Sequence, residues 1–72
     1  MTRYELLKKN EDVLYQFVKA GILSYQVIRD IEIYEAFNNI DIQNKEMKYI
    51  MLSDDFELST KRIEQIIIQM QK

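Results

Sequence analysis

A chain of 72 residues without cysteine or histidine has no disulfide and none of the common zinc ligand sets to stabilise it. Its hydrophobic fraction of 47% argues against disorder, and its net charge of −2 argues against a protein that coats nucleic acid non-specifically. No apolar run approaches the roughly 20 residues that cross a bilayer, and the charged amino terminus is unlike a signal peptide. We therefore expect one soluble, cytoplasmic domain over residues 1–72, stabilised by dense helix packing or by a second copy.

The amino-terminal half predicts two amphipathic helices. Apolar residues at steps of three, four and seven predict a first helix from about Arg3 to Ala20, which Gly21 closes in the left-handed conformation. Ser24 can cap a second helix, which ends at residues 38–39. The apolar stripe of the first helix is Leu6, Leu7, Val13, Leu14, Phe17 and Val18, and that of the second is Val27, Ile28, Ile31, Tyr34 and Phe37.

The carboxyl-terminal part predicts two further helices. Residues 40–43 are typical of a loop, after which Asp41 or Asn44 can cap a third helix over about 45–55. This helix has two apolar stripes, and such a wide apolar surface indicates contact with more than one neighbour. One stripe is Met47, Ile50 and Met51, and the other is Tyr49, Leu52 and Phe56. A fourth helix over 59–71 has Ile63, Ile66, Ile67 and Met70 on its inner face. The sequence thus predicts an all-α fold, a compact bundle of about four helices.

The most informative stretch is the segment YIMLSDDFELSTKRIEQIII at residues 49–68. It resembles the helix-turn-helix of bacterial and phage regulators, which would here occupy residues 44–72. The segment at 56–67 also looks like the recognition helix of sigma-factor region four and of small phage activators of the Mor type. The resemblance implies that Ser53 is the small residue that lets the second helix approach closely. The positions that match the buried core of the motif are Leu52, Ser53, Phe56, Leu58, Ile63 and Ile66.

One position departs from the motif. The turn residue is usually glycine, because the backbone there tends to be left-handed, but in this chain it is Glu57. A non-glycine residue in that conformation costs about 1 kcal/mol, which many proteins tolerate. The alternative is an ordinary helical hairpin whose apolar residues are only core. The capped short turn, the small Ser53 and the polar outer face favour DNA binding over that alternative.

The resemblance assigns roles to polar side chains. The second helix of such a motif lies in the major groove, and the first crosses the phosphate backbone. In this geometry Gln65 can pair with adenine, Glu64 can accept from cytosine and Lys61 can reach guanine. The full set of expected base contacts is Ser59, Thr60, Lys61, Glu64, Gln65 and Ile68. The expected phosphate contacts, which position a protein without reading sequence, are Lys45, Lys48, Tyr49 and Arg62.

These features predict a sequence-specific double-stranded DNA-binding protein, a transcriptional regulator or a phage or mobile-element accessory protein, with helix 59–71 in the major groove. We expect it to act as a homodimer, because a single recognition helix buries too little surface for tight binding. The candidates for the dimer surface are Tyr4, Tyr15, Tyr25, Ile33 and Phe37, since aromatic residues are enriched in interface cores. A helical adaptor that binds a protein partner is the alternative, which the net acidity favours, and a purely structural homo-oligomer is a third.

The acidic residues do not predict an enzyme. Asp54 and Asp55 are consecutive, so on a helix their side chains diverge by ~100°. Glu32 and Glu35 share one side of the second helix, but the chain offers them no histidine, activated nucleophile or glycine-rich loop as a partner. We therefore expect no catalytic activity, no metal and no cofactor.

Overall fold

A computed structural model describes all 72 residues and contains five α-helices and no β-strand. The predicted all-α fold is therefore confirmed. None of these helices combines the length and the apolar character that crossing a membrane requires. The helices are α1 (Arg3–Lys9), α2 (Glu11–Lys19), α3 (Gln26–Asn39), α4 (Lys45–Phe56) and α5 (Thr60–Met70).

The single helix predicted from Arg3 to Ala20 is wrong, because it is divided into α1 and α2 at Asn10. The backbone of Asn10 leaves the helical region, with φ −108° and ψ 20°. Its side-chain Nδ2 donates to the carbonyl oxygen of Leu6 at 2.8 Å. Asparagine side chains compete in this way for backbone groups, which weakens a helix interior. The break ends α1 at Lys9 and starts α2 at Glu11.

Several other helix ends follow local capping chemistry. Gly21 is left-handed, with φ 76°, and ends the α1–α2 segment as expected. Of the two residues proposed to cap α4, Asn44 does so, since its side chain accepts from the N–H of Met47 at 3.2 Å. Ser59 caps α5 by accepting from the N–H of Arg62 at 3.1 Å. Such caps each contribute about 1 kcal/mol.

The core lies between α3, α4 and α5, which supply all nine buried residues. Neither α1 nor α2 contains a buried residue, and they cover the core from one side through partly buried residues such as Leu7 and Leu14. Each fully buried aliphatic side chain contributes about 1.5–3 kcal/mol. The buried residues are Ile28, Ile31, Ile33, Phe37, Leu52, Ile63, Ile66, Ile67 and Met70.

Two residues expected on a dimer surface belong to this core instead. Ile33 is fully buried and Phe37 is nearly so. The reason is that α3 packs against all four other helices and therefore buries more than one side. Of the other candidates, Tyr4 is half-buried against α3, whereas Tyr15 and Tyr25 are exposed.

Candidate nucleic-acid interface

A tight turn joins α4 to α5. Glu57 occupies the left-handed region, with φ 57° and ψ 42°, and it is the only non-glycine residue of the chain with a positive φ. The carbonyl oxygen of Ser53 accepts from the backbone N–H of Glu57 and from that of Leu58. The hydroxyl of Ser53 donates to the carbonyl oxygen of Leu58. One small residue on α4 therefore fixes the chain on both sides of the turn.

The side chains that match the motif core face the interior. Leu52, Ile63 and Ile66 are buried. Ser53, Phe56 and Leu58 are half-buried around them. These side chains hold α5 against α4 and α3, so the opposite side of α5 faces solvent.

All six residues expected to contact bases are exposed on or just before α5: Ser59, Thr60, Lys61, Glu64, Gln65 and Ile68. Five of these are polar, and Ile68 is an exposed apolar residue among them. The hydroxyl of Ser59 already accepts a hydrogen bond in the cap, which leaves its own hydrogen free to donate. The face thus combines donors, acceptors and one aliphatic group.

The residues expected to contact phosphates divide into two pairs. Lys45 and Arg62 are exposed, and neither takes part in an ion pair of the chain. Lys48 and Tyr49 are half-buried because both pack on Phe37 of α3. The Nζ atom of Lys48 lies 4.5 Å from the centroid of the Phe37 ring, a cation–π contact. The ring of Tyr49 stacks on the same ring, with centroids 5.8 Å apart.

A shallow groove of about 380 Å³ runs between the outer sides of α4 and α5. Two carboxylates, Glu46 and Glu64, and the ammonium of Lys61 lie along it. Burial and the nearby charges of Glu64 and Glu46 raise the pKa of Tyr49 above its ordinary value of 10.0. Sequence reasoning gave no role to Glu46, although its place one turn before Ile50 sets it on the same side of α4. The groove is lined by Glu46, Tyr49, Ile50, Thr60, Lys61 and Glu64.

The ion pairs of the chain all lie in the amino-terminal half. Lys8 pairs with Glu11 and Glu35, and Arg29 pairs with Asp30. The basic residues of α4 and α5 are Lys45, Lys48, Lys61 and Arg62. None of them has a carboxylate partner within 4.0 Å. Their charge is thus available to an anionic ligand, in contrast to that of Lys8.

The two glutamates noted on α3 take part in separate local contacts. Glu32 accepts from the hydroxyl of Tyr25 at 2.9 Å, and Glu35 accepts from that of Tyr4 at 2.7 Å. Hydrogen bonds from Tyr4 and from Lys8 hold the pKa of Glu35 below its ordinary value. No three Asp or Glu side chains come together in a group that could hold a metal ion.

Comparison with known families, curated proteins and solved structures finds nothing that matches this chain. What it does must therefore be inferred from its own exposed side chains.

Proposed function

We propose that this chain is a sequence-specific double-stranded DNA-binding protein, a transcriptional regulator or a phage or mobile-element accessory protein, that inserts α5 into the major groove. The observation that carries the proposal is the outward face of α5, which presents polar side chains in reach of a ligand while its inner face is buried. Lys61, Glu64 and Gln65 are one to five residues beyond the start of the helix, where recognition helices meet base edges.

The chemistry of this face is that of base reading. Gln65 can make paired hydrogen bonds to adenine, Lys61 can donate to guanine, and Glu64 can accept from cytosine. The helix has 11 residues and is therefore about 16 Å long, enough to lie in the major groove. Lys45 and Arg62, which are both exposed, supply phosphate contacts.

The carboxylates in the groove between α4 and α5 affect how selectively the chain is expected to bind DNA. Glu46 and Glu64 repel phosphates close to Lys61, which lowers the affinity for DNA of arbitrary sequence. A site in which a cytosine amino group meets Glu64 offsets that repulsion. The proposal therefore predicts weak non-specific binding and a large preference for particular sequences.

The decisive experiment is fluorescence anisotropy of a labelled pool of random-sequence duplexes, titrated with the chain at roughly 0.05 M and 0.2 M salt. We expect salt-sensitive binding that is lost when Lys61, Arg62 and Gln65 are all changed to alanine. Selection from the same pool should then recover a preferred site. A folded chain that binds no duplex at micromolar concentration would contradict the proposal.

Two single substitutions give a matched control for the α5 face. Lys61→Ala and Lys9→Ala each remove one exposed ammonium, but Lys9 lies on α1. If Lys61 reads a guanine, its loss weakens binding and relaxes the preference for that base. Lys9→Ala should leave both the affinity and the base preference unchanged. Equal effects of the two would indicate attraction by overall charge alone.

One observation favours the alternative function, a helical adaptor for a protein partner. Met47, Ile50 and Met51 form an exposed apolar stripe on α4 at steps of three and four. Methionine-rich surfaces adapt readily to apolar partners, and the neighbouring Glu46 and Glu64 would suit an amphipathic helix with basic flanks. Binding through this stripe would be far less sensitive to salt, and Ile50→Lys would abolish it while Lys61→Ala would have little effect.

A further inference from the structure

The helix α2 is the least enclosed element of the fold. It contains no buried residue and packs only against α1 and α3. Its outer side carries two apolar residues one turn apart, Val13 and Phe17, which are 45% and 41% exposed. Short helices gain most of their stability from tertiary packing rather than from propensity. This face therefore has apolar surface that the single chain leaves in water.

Two opposite charges lie on the same side of α2. Asp12 and Lys19 are both exposed, and neither takes part in an ion pair of the chain. They are seven residues apart, which is two helical turns, so their side chains point in nearly the same direction. At ~100° per residue, Gln16 lies between this charged pair and the apolar pair of Val13 and Phe17. One face of α2 thus has an apolar edge and a charged edge.

We propose that α2 is the surface through which two copies of this chain pair, with the two helices antiparallel about a twofold axis. In an antiparallel pair, each residue faces the residue that lies equally far from the axis on the other helix. Contact of Val13 with Phe17 of the partner subunit places the axis at position 15. Contact of Asp12 with Lys19 of the partner subunit places it between positions 15 and 16. The apolar pair and the charged pair therefore define nearly the same register, within half a residue.

The charges of Asp12 and Lys19 favour a second copy of this chain as the partner that binds this face of α2. The acidic residue lies near the start of α2 and the basic residue at its end, so an antiparallel copy satisfies both at once. A uniformly acidic or uniformly basic partner would satisfy only one end and be repelled at the other. Ile22 adds apolar surface beside Phe17, whose carbonyl oxygen accepts from the N–H of Ile22 at 2.9 Å.

The dimer is expected to be weak. A helix of nine residues spans about 13 Å and, even with Ile22, offers less than the ~800 Å² per partner of a typical stable interface. The proposal assigns a surface to the homodimer expected from the sequence, but it does not depend on DNA binding. Self-association of the free protein tests α2, whereas the anisotropy titration tests α5, so either can fail alone.

Sedimentation equilibrium of the full chain over a range of concentrations up to roughly millimolar, where weak interfaces populate, tests the pairing. We expect a reversible monomer–dimer equilibrium. Asp12→Lys gives a chain with cations at both positions, and Lys19→Asp gives a chain with anions at both. Each variant alone should dimerise about tenfold more weakly, because two attractive contacts become repulsive. An equimolar mixture of the two should recover dimers, since every charged contact in the mixed dimer is attractive.

The mixture separates pairing from helix stability. Both substitutions oppose the dipole of α2, so loss of helix would make each chain worse and could not be repaired by mixing. Circular dichroism of each variant checks that it is folded, and Asp54→Lys on α4 is the matched reversal outside the proposed surface. A wild-type chain that stays monomeric overturns the proposal and leaves the face to another protein partner. Dimers that neither reversal weakens, or that mixing does not restore, would also overturn it.

Discussion

The hydroxyl of Ser53 on α4 donates to the carbonyl oxygen of Leu58, five residues later and beyond the turn. The carbonyl oxygen of Ser53 also accepts from the N–H of Leu58 at 3.2 Å. The hydroxyl and the carbonyl oxygen of Ser53 therefore both bond to Leu58. The side chain is half-buried at the turn between α4 and α5, so we expect both its hydroxyl and its small size to contribute to stability.

Changing Ser53 should separate these two contributions. Ser53→Ala keeps the small volume but removes the hydroxyl, so we expect the free energy of unfolding to fall by about 1 kcal/mol. Ser53→Leu adds volume at this half-buried position and should cost about 1–3 kcal/mol. Urea denaturation measures both. Thr60→Ala removes an exposed hydroxyl at the first position of α5 and serves as the control, with little change expected. If both alanine variants were equally stable, the bond from Ser53 would contribute nothing.

The left-handed backbone of Glu57 predicts that a substitution there will stabilise the chain, whereas those at Ser53 destabilise it. With φ at 57°, its Cβ is strained, and Glu57→Gly should raise the free energy of unfolding by up to about 1 kcal/mol. Glu57→Gln removes the charge but keeps the Cβ, so it should leave most of the strain in place. Thermal and urea unfolding compare the two variants. Stabilisation of the glutamine variant to the same extent would assign the effect to charge rather than to conformation.

The sequence predicted α3, α4 and α5 close to their observed bounds because their apolar residues recur in regular stripes and because capping residues precede α4 and α5. It failed at Asn10, where a side-chain hydrogen bond to Leu6 competes with the helix. The hydrogen bond does not change the spacing of the apolar residues, so the apolar stripe of the sequence continues across the break. Periodicity therefore gave one helix where the chain forms two.

Exposure of the α5 face could be predicted because polar residues there lie opposite an apolar stripe. The positions of Lys48 and Tyr49 on Phe37 could not, since they depend on where α3 crosses α4. The burial of Ile33 has the same origin, because α3 has neighbours on more than one side. Contacts between helices that are distant in sequence therefore cannot be predicted from the hydrophobic pattern alone.

Two consecutive isoleucines on α5 provide a comparison of buried and exposed sites. Ile67 is 1% exposed and Ile68 is 44% exposed. Ile67→Val removes a methylene from the core and should cost about 0.5–1.5 kcal/mol, whereas Ile68→Val should cost less than about 0.5 kcal/mol. Both changes keep a β-branched residue in the same helix, so helix propensity differs little between them. Equal losses in urea denaturation would contradict the difference in burial between Ile67 and Ile68.

The contact between α1 and α3 should make stability depend on pH. The hydroxyl of Tyr4 donates to Glu35 at 2.7 Å, and the ammonium of Lys8 lies 3.0 Å from the same carboxylate. These bonds lower the pKa of Glu35 below its ordinary value of 4.5. Because the pKa is lower in the folded state, the ionised carboxylate contributes stability above pH 4.5, and this is lost as the pH falls through the folded-state value.

Two variants isolate this contribution. Tyr4→Phe removes the largest cause of the lowered pKa but keeps the ring, which packs against Tyr34 with centroids 4.8 Å apart. Glu35→Gln removes the titrating group. The free energy of unfolding, measured by urea denaturation between neutral pH and about pH 3, should fall less steeply in both variants than in the wild type. The two variants should therefore lie below the wild type at neutral pH and approach it in acid. Parallel curves for all three proteins would show that this carboxylate does not link α1 to α3.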